Sequence, residues 1–389
     1  MLPLFHRVFW FSTSLVVACS FAYAQQPVEK AIDDTQSIVT AELYFPSEQD
    51  WDTVDFKTAG CDPDGIDVAL KLAGEKHSKG VVILWRGRIL AERYWDGWSQ
   101  TQPHAAYSVS KSFVSSLVGT AITEGSIQGV DQSASDFLVE WRRSPEHRRI
   151  TIHDLLSMSC GLEGGKANFL RGVLSQNERR FATSLPVRHA PGAHWDYHQS
   201  GYTLLHSILE EATNQPLQRY TSEKILEPIG MRHTTWATKR FNKRQTTFLR
   251  TTPRDAARYG LLVLAKGNWD GEQLIESSWL TKATRPANPT LNPSYGYLWW
   301  LNGGQWFWYP LIEKRQTRPI FAGCPDDTFA ALGKDDQKIY VVPSLDLVVT
   351  RFGDAADSST PALSEFDSGF LGAICRSLEP AVRKKPENK

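Results

Sequence analysis

The chain has 389 residues, with 43 Lys and Arg balanced by 43 Asp and Glu, 41% hydrophobic residues and five cysteines. A formal net charge of zero gives no broad electrostatic footprint for nucleic acid, and 14 Trp with 11% aromatic residues exclude a disordered chain. Five scattered cysteines with no C-x-x-C pair make neither a disulfide scaffold nor a zinc or thiol-redox motif.

In chain order, residues 1–24 read as a secretory signal: Arg7, an apolar stretch over 8–18, then Ala22-Tyr23-Ala24 before Gln25. The same region offers Val16-Val17-Ala18-Cys19, which suits lipoprotein processing at Cys19. The expected location is therefore periplasmic or secreted, with a Cys19-anchored lipoprotein as the alternative. The apolar stretch falls short of the ~20 residues that cross a bilayer, and no other stretch is long enough. Residues 25–47 are polar and unpatterned and read as a linker. The four cysteines beyond the signal, Cys61, Cys160, Cys324 and Cys375, would then lie in an oxidising compartment. Sequence leaves open three pairings or four unpaired thiols.

The domain is placed at 48–378, with a flexible tail at 379–389. Helical spacing of Ile66, Leu70 and Ala73 marks a helix over 66–77. Residues 81–85 and 89–94 around Arg86-Gly87-Arg88 form a hairpin signal. A helix follows over 110–123, closed by Gly125. The stretch 152–279 reads as mainly helical, with segments at 153–157, 202–212, 217–226 and 254–265. Strands return at 297–301, 329–332, 339–342 and 347–352, and a last apolar helix spans 362–376. Strands at both ends of a helical insert predict an α/β (α+β) fold: one antiparallel sheet flanked by helices, plus a mainly helical subdomain. The sheet lobe would take 48–125 and 290–378, and the helical lobe 126–289, with an active site in the cleft between them. Helices from the two ends covering one sheet face would bring Cys61 and Cys375 within reach of a staple.

There is no H-E-x-x-H, no G-x-x-x-x-G-K-[ST] and no G-x-S-x-G. Ser108-Val109-Ser110-Lys111 is present at the mouth of the helix predicted over 110–123. A spacing of three stacks Ser108 and Lys111 on one face, one turn apart. A desolvated amine there can lose its proton and accept that of the serine. The helix start adds unpaired N–H groups that suit a developing oxyanion. Alone, an S-x-x-K is a common tetrapeptide, and ordinary Ser and Lys on a helix explain it equally well.

The surroundings extend the pattern. Tyr107-Ser108-Val109-Ser110-Lys111-Ser112-Phe113 resembles the nucleophile segment of the serine β-lactamase/penicillin-recognising superfamily, in its class C-like branch of 6-aminohexanoate-dimer hydrolases and related esterases. Further blocks follow in the order of that family. They are Ile152-His153-Asp154-Leu155-Leu156-Ser157 with Gly161-Leu162, Tyr197-His198-Gln199 in place of Y-x-N, Thr252-Pro253-Arg254-Asp255, Tyr295-Gly296-Tyr297 and Val342-Pro343-Ser344-Leu345-Asp346. The resemblance runs from about 51 to 375.

The resemblance implies a β-lactamase-like fold and a cofactor-free, metal-free Ser-Lys-Tyr acyl transferase. Ser108 would be the nucleophile, Lys111 its base or the holder of the network, and Tyr197 the group that passes a proton to the leaving group. Which of Lys111 and Tyr197 takes the first proton stays open; an ammonium beside the phenol would lower the pKa of Tyr197. Two departures stand out. Gln199 replaces the usual Asn, with the same amide chemistry one methylene further out. Ala331-Leu332-Gly333-Lys334 stands where K-T-G is expected, so the Lys and Thr that hold a β-lactam carboxylate are missing. Gly333 still permits a close backbone approach, and the N–H of Lys334 would join that of Ser108 as oxyanion donor. Gln199, Gly333 and Trp299 are expected to contact substrate, Trp299 and Trp300 having core positions as the other reading. His198 reads as a surface-loop histidine or a group polarising the site, and Asp335-Asp336 as a solvated turn or a charge facing the substrate. The expected substrate is a small ester, amide or short peptide. A penicillin-binding-type peptidase or weak β-lactamase, and a non-catalytic cell-wall-binding descendant, are the alternatives.

Overall fold

The computed structural model describes residues 42–48, 50–241, 244–310, 314–357 and 363–383. The expected signal segment, Cys19, most of the linker and the tail beyond 383 lie outside the described residues. Residues from Glu42 onward form one compact unit.

Helix α1 (Pro63–Glu75) starts where Asp62 caps it, its side chain accepting from Asp64 N at 3.1 Å, with Pro63 in the first turn. Ile66, Ala69, Leu70 and Ala73 form its buried face. Strands β1 (Ser78–Trp85) and β2 (Arg88–Tyr94) follow as a hairpin. Its turn has Arg86 at φ 51° and Gly87 at φ 82°, the paired left-handed geometry whose twist matches the strands. A Cβ on Gly87 would stand 1.9 Å from the carbonyl oxygen of Tyr44, so the turn requires glycine twice over.

Helix α2 (Ser110–Thr123) is buried along 12 of its 14 residues. A helix without a wet face needs its hydroxyls satisfied internally. Ser112 Oγ donates to Leu298 O at 2.8 Å, and the hydroxyls of Ser116 and Tyr259 meet at 2.8 Å. The helical lobe then adds α3 (Ile152–Leu156), α4 (Gly165–Val173), α5 (Glu178–Thr183) and α6 (Gln199–Thr213). Its stretch, expected to be mainly helical, also contains a hairpin that was not expected: β3 (Thr235–Phe241) pairs antiparallel with β4 (Arg244–Thr251), Trp236 opposite Leu249. The segment expected as one helix over 217–226 is α-helical at Leu217–Thr221 and continues as a π-turn through Ser222–Leu226.

After α7 (Pro253–Leu264) come β5 (Trp300–Leu301), β6 (Phe329–Gly333), β7 (Gln337–Val342), β8 (Leu347–Gly353) and α8 (Phe366–Arg383). The expected strand over 297–301 is shortened to two residues because Leu298 sits at φ 62°, off the extended conformation. The sheet order is β2-β1-β8-β7-β6-β5, with every neighbouring pair antiparallel, so strands from both ends of the chain build one antiparallel sheet, joined at β1 and β8, as expected.

One sheet face sets Val82, Leu84 and Val348 against Ala257 and Leu261 of α7, with Leu43, Phe45 and Trp51 packed on top. Residues 42–47 were expected to be linker. Arg258 of α7, buried, ties them down through Pro46 O at 3.1 Å and Ser47 O at 2.5 Å and lies over the Trp51 ring. Val81 and Ile83 belong to the main core with Ile66 and Leu70 of α1 and Phe370 and Ile374 of α8. Asp62 N bonds Ser377 O at 3.0 Å, so α1 and α8 meet, yet Cys61 is an unbridged buried thiol and the staple to Cys375 is not formed.

Gly119 lets α2 take the Trp279 ring, whose indole N–H donates to Ser115 O at 3.0 Å; a Cβ there would lie 2.2 Å from that ring. Gly119→Ala is expected to lower stability by about 1–3 kcal/mol despite alanine's better helix propensity, because a locked indole has to move. Urea unfolding measures this, and an unchanged or higher midpoint would show that the contact is loose.

Candidate active site

Ser108 lies in a single 3-10 turn (Tyr107–Val109) that runs straight into α2. Tyr107 enters it at φ 48°, a left-handed conformation that a residue with a bulky side chain avoids. The turn is held from the hairpin that the sequence did not reveal. Ala106 N donates to Leu249 O at 2.8 Å, Leu249 N donates to Ser110 Oγ at 2.9 Å, and Ser110 Oγ donates to Tyr107 O at 2.6 Å. Phe248 covers the Tyr107 ring at 5.6 Å. The serine side chain itself stays partly exposed.

Lys111 sits one turn deeper and is 2% exposed. Its Nζ donates to Ser108 Oγ at 3.1 Å and to Gln199 Oε1 at 2.7 Å, and lies 4.2 Å from the Tyr202 ring centroid and 5.1 Å from that of Tyr197. These partners are neutral. Burial pushes the amine from the ordinary lysine range down to about 7, and the more distant charge of Glu178 pulls it partway back.

Tyr197, 8% exposed, stacks on Trp300 at 5.9 Å and meets Tyr295 edge-on at 6.4 Å. Its phenol is pushed up to about 12 by burial, with a hydrogen bond to the Ser108 side chain pulling the other way. The lowering expected from a neighbouring ammonium is not what the site produces, because desolvation outweighs the charge of an amine that is itself largely deprotonated above neutrality. Gln199 opens α6, and its extra methylene brings its carbonyl oxygen within hydrogen-bonding distance of Lys111.

His198 is neither on the surface nor in contact with the nucleophile. It is 5% exposed and caps α6, its Nδ1 accepting from Gly201 N at 2.9 Å and its Nε2 meeting Glu163 O at 3.2 Å. Those partners fix the proton on Nε2, and burial lowers its pKa, so the ring is neutral. Asp196, on the other side of Tyr197, accepts from Gly165 N at 3.1 Å. Together the two neighbours grip the start of α4 and hold the tyrosine between them.

Gly333 ends β6 against the nucleophile turn: a Cβ on it would stand 2.4 Å from Ala106 O and 3.3 Å from Val109. The peptide leading to Lys334 N therefore abuts the segment that carries Ser108. The Lys334 side chain pairs with Asp335 at 2.8 Å and lies over the Tyr107 ring. Trp299, expected to contact substrate, is 0% exposed, stacked on Tyr259 at 6.1 Å and edge-on to Phe329 at 5.4 Å. It is a core residue, and its neighbour Trp300 is the one beside Tyr197. Asp336, expected in a solvated turn, is fully buried and bonds Lys338 at 3.2 Å.

Tyr202, Glu178, Tyr295 and His206 were not anticipated. The i to i+3 spacing of Gln199 and Tyr202 was the available signal for the first of them. A cavity of about 410 Å³ runs along α6 past Thr203, His206 and Glu210 to Glu178 and Trp236. Among the described residues, no three His, Cys, Asp or Glu side chains converge to hold a metal ion, and no helix is long and apolar enough to cross a membrane.

A family model described as Beta-lactamase matches residues 71–352. A solved structure from Bacillus anthracis, provisionally named a 6-aminohexanoate-dimer hydrolase, is similar with a TM-score of 0.67 at 19% identity, covering 89% of this chain and 92% of that one. The D-stereospecific amidohydrolase of a Streptomyces species gives a TM-score of 0.57 at 16% identity, covering 80% and 98%. Esterase EstB of Burkholderia gladioli is 31% identical over 144 residues, which is 32% of this chain and 36% of the esterase. The fold is thus the β-lactamase-like one that the ordered blocks implied.

A buried amine with a pKa of about 7 makes Ser108 a better nucleophile above that pH. The rate at which a fluorophosphonate labels Ser108 is expected to rise with pH and reach half its plateau near 7. Removing the charge in Glu178→Gln shifts that midpoint to lower pH, since Glu178 favours the ammonium. A labelling rate that is flat between pH 5 and 9 would mean that Lys111 does not control the hydroxyl.

Proposed function

The chain belongs to the beta-lactamase family, whose relatives here are hydrolases, and from that membership we propose that it is an exported serine hydrolase cleaving an ester or amide bond through an acyl-enzyme on Ser108. The observation that carries this reading is the 3.1 Å contact between Ser108 Oγ and a lysine amine that burial has brought to a pKa of about 7.

The division of labour follows from the two pKa shifts. Neutral Lys111 accepts the proton as Ser108 Oγ bonds to the substrate carbonyl carbon. The tetrahedral oxyanion is held by the backbone N–H groups of Ser108 and Lys334. As it collapses, the bond to the leaving group breaks and the departing oxygen or nitrogen takes the phenolic proton of Tyr197. A phenol at about 12 is neutral at working pH and still acidic enough to protonate an alkoxide. The proton on Lys111 then restores Tyr197. Water attacks the acyl-enzyme along the reverse route, giving the acid and free Ser108.

Substrate class follows from what lines the site. Ala331 and Leu332, buried and apolar, replace the cation and hydroxyl that a β-lactam carboxylate needs, and the Lys334 ammonium is already paired with Asp335. The aromatic wall of Tyr197, Tyr295 and Trp300 suits an uncharged acyl or leaving group. Export rests on the sequence of 1–24, and the mass of the mature chain separates cleavage after Ala24 from lipidation at Cys19.

Turnover of p-nitrophenyl acetate or butyrate is expected, falling by roughly 10⁴–10⁶ in Ser108→Ala and Lys111→Ala and by roughly 10²–10⁴ in Tyr197→Phe. Nitrocefin should be hydrolysed slowly or not at all. Full esterase activity in Ser108→Ala would remove the acyl-enzyme, and efficient nitrocefin turnover would overturn the reading of the Ala331–Lys334 segment.

A further inference from the structure

Just past the end of β6 the backbone adopts an unfavourable conformation. Asp335 and Asp336, consecutive and neither of them glycine, sit at φ 61° and 58°, where a Cβ crowds the following carbonyl. A short hairpin loop ordinarily places glycine at such positions. Two strained residues in succession persist only when their surroundings over-determine them.

The surroundings here are unusually committed. Arg351 of β8 has no exposed surface and uses every side-chain nitrogen on this region. Nη1 donates to Asp335 O at 2.9 Å and Asp336 O at 3.1 Å, Nε to Ser78 Oγ at 2.8 Å, and Nη2 to Lys76 O at 2.8 Å and Asp354 O at 2.7 Å. Gln337, also buried, donates to Asp335 O at 2.8 Å and Gly353 O at 2.7 Å and accepts from Gly353 N at 3.1 Å. The Asp336 carboxylate takes Ala356 N at 3.0 Å, Ser364 Oγ at 3.2 Å and Lys338 Nζ at 3.2 Å. Lys338 in turn pairs with buried Asp367 at 2.9 Å. The two charges of each sign balance, so the cluster is neutral overall despite its burial.

What this lock holds lies on its other side. The strained pair follows directly on Gly333 and Lys334, and Gly333 packs against Ala106 O and Val109 of the nucleophile turn. A hairpin turn takes two left-handed residues by itself, as at Arg86–Gly87, but closing it does not require a guanidinium spent on its backbone carbonyls. Fixing one peptide to a fraction of an ångström beside the nucleophile does.

We propose that Arg351, supported by Gln337, is a positioning residue for catalysis: it clamps the strained Asp335–Asp336 turn so that the Gly333–Lys334 peptide stays fixed beside Ser108 as an oxyanion donor. This rests on the acyl-enzyme reading above. Neither side chain touches substrate; each acts through the backbone it holds.

The test uses the full chain with Arg351→Lys, which keeps the charge and loses the fork, and Gln337→Met, which keeps the volume and loses the hydrogen bonds. Each is assayed for kcat and KM on p-nitrophenyl butyrate. Each is also titrated with an alkyl trifluoromethyl ketone of similar chain length, which adds to Ser108 as a tetrahedral oxyanion. The expected result is a 10- to 100-fold fall in kcat with KM within about threefold of wild type, and a matching rise in the inhibition constant of the ketone. A variant that unfolds at a lower midpoint yet keeps wild-type kcat and ketone affinity overturns the proposal, because the clamp is then structural alone. Should Arg351→Lys fail to fold, Gln337→Met decides. Ser108→Ala in the same series separates the two levels: esterase activity surviving in it brings down the acyl-enzyme reading and this inference with it, whereas its loss alongside unchanged clamp variants brings down this inference only.

Discussion

Taking the Lys111 amine out of water is the constraint on which the site depends. The folded protein holds this group at about 7, well below the ordinary lysine value, so between those two limits the unfolded chain binds a proton that the folded chain does not. Stability contributed through Lys111 therefore rises with pH across that window, and below about 7 the full penalty of a buried ammonium is present. That penalty is on the order of several kcal/mol and is tolerated because Ser108, Gln199 and two aromatic faces offer partial compensation. A carboxylate in place of Gln199 would stabilise the amine as a cation and make it useless as a base. The neutral amide thus follows from the electrostatics of the site.

Much of the remaining architecture serves to keep that amine dry and the serine wet. Helix α2 is buried nearly all round, which a helix bearing Ser112, Ser115, Ser116 and Lys111 tolerates only with dedicated internal partners. The β3–β4 hairpin seals one side through Leu249, and His198 and Asp196 secure the other by pinning the start of α4. Some of the left-handed residues lie at the joints of this enclosure. Tyr107, Met158, Leu298, Asp335 and Asp336 all have positive φ without being glycine. Tyr107 enters the nucleophile turn, Met158 Sδ accepts from His198 N, and Leu298 O receives the Ser112 hydroxyl. Strain distributed in this way is what pre-organisation at a reactive centre requires.

The fold and the Ser108–Lys111 contact were legible because their signals are local. Helix α2 runs over the span 110–123 expected of it, and the hairpin of β1 and β2 closes at the Arg86-Gly87 turn that its sequence announces. What was not legible depends on partners far along the chain. Trp299 and Trp300 are equivalent by composition and both are buried; only the packing of distant residues sets Trp299 against Tyr259 and Phe329 and Trp300 beside Tyr197. The pKa of Tyr197 depends on how deeply Trp300 and Tyr295 bury it, which no spacing records. The β3–β4 hairpin was hidden by the helices around it, although Thr234, Thr235, Thr246, Thr247 and Thr251 gave a β-branched density that favours strand over helix. His198 and Asp336 were misread for a common reason: polar residues in a connecting segment are presumed wet, and here each is enclosed by the segments it ties together.

The separation of reaction from recognition follows from where each is encoded. Ser108 and Lys111 stand three residues apart, across the 3-10 turn and the start of α2, so their pairing is encoded locally. Recognition of a substrate anion would be expected from the end of β6, and there the chain has apolar Ala331 and Leu332, both buried. Gly333 alone is retained for a steric reason that no change of substrate relaxes, since any side chain would collide with Ala106 O in the nucleophile turn. A strand that keeps its glycine and loses its cation preserves an approach to the carbonyl while giving up a grip on a carboxylate. That combination is what the proposed preference for uncharged esters and amides rests on.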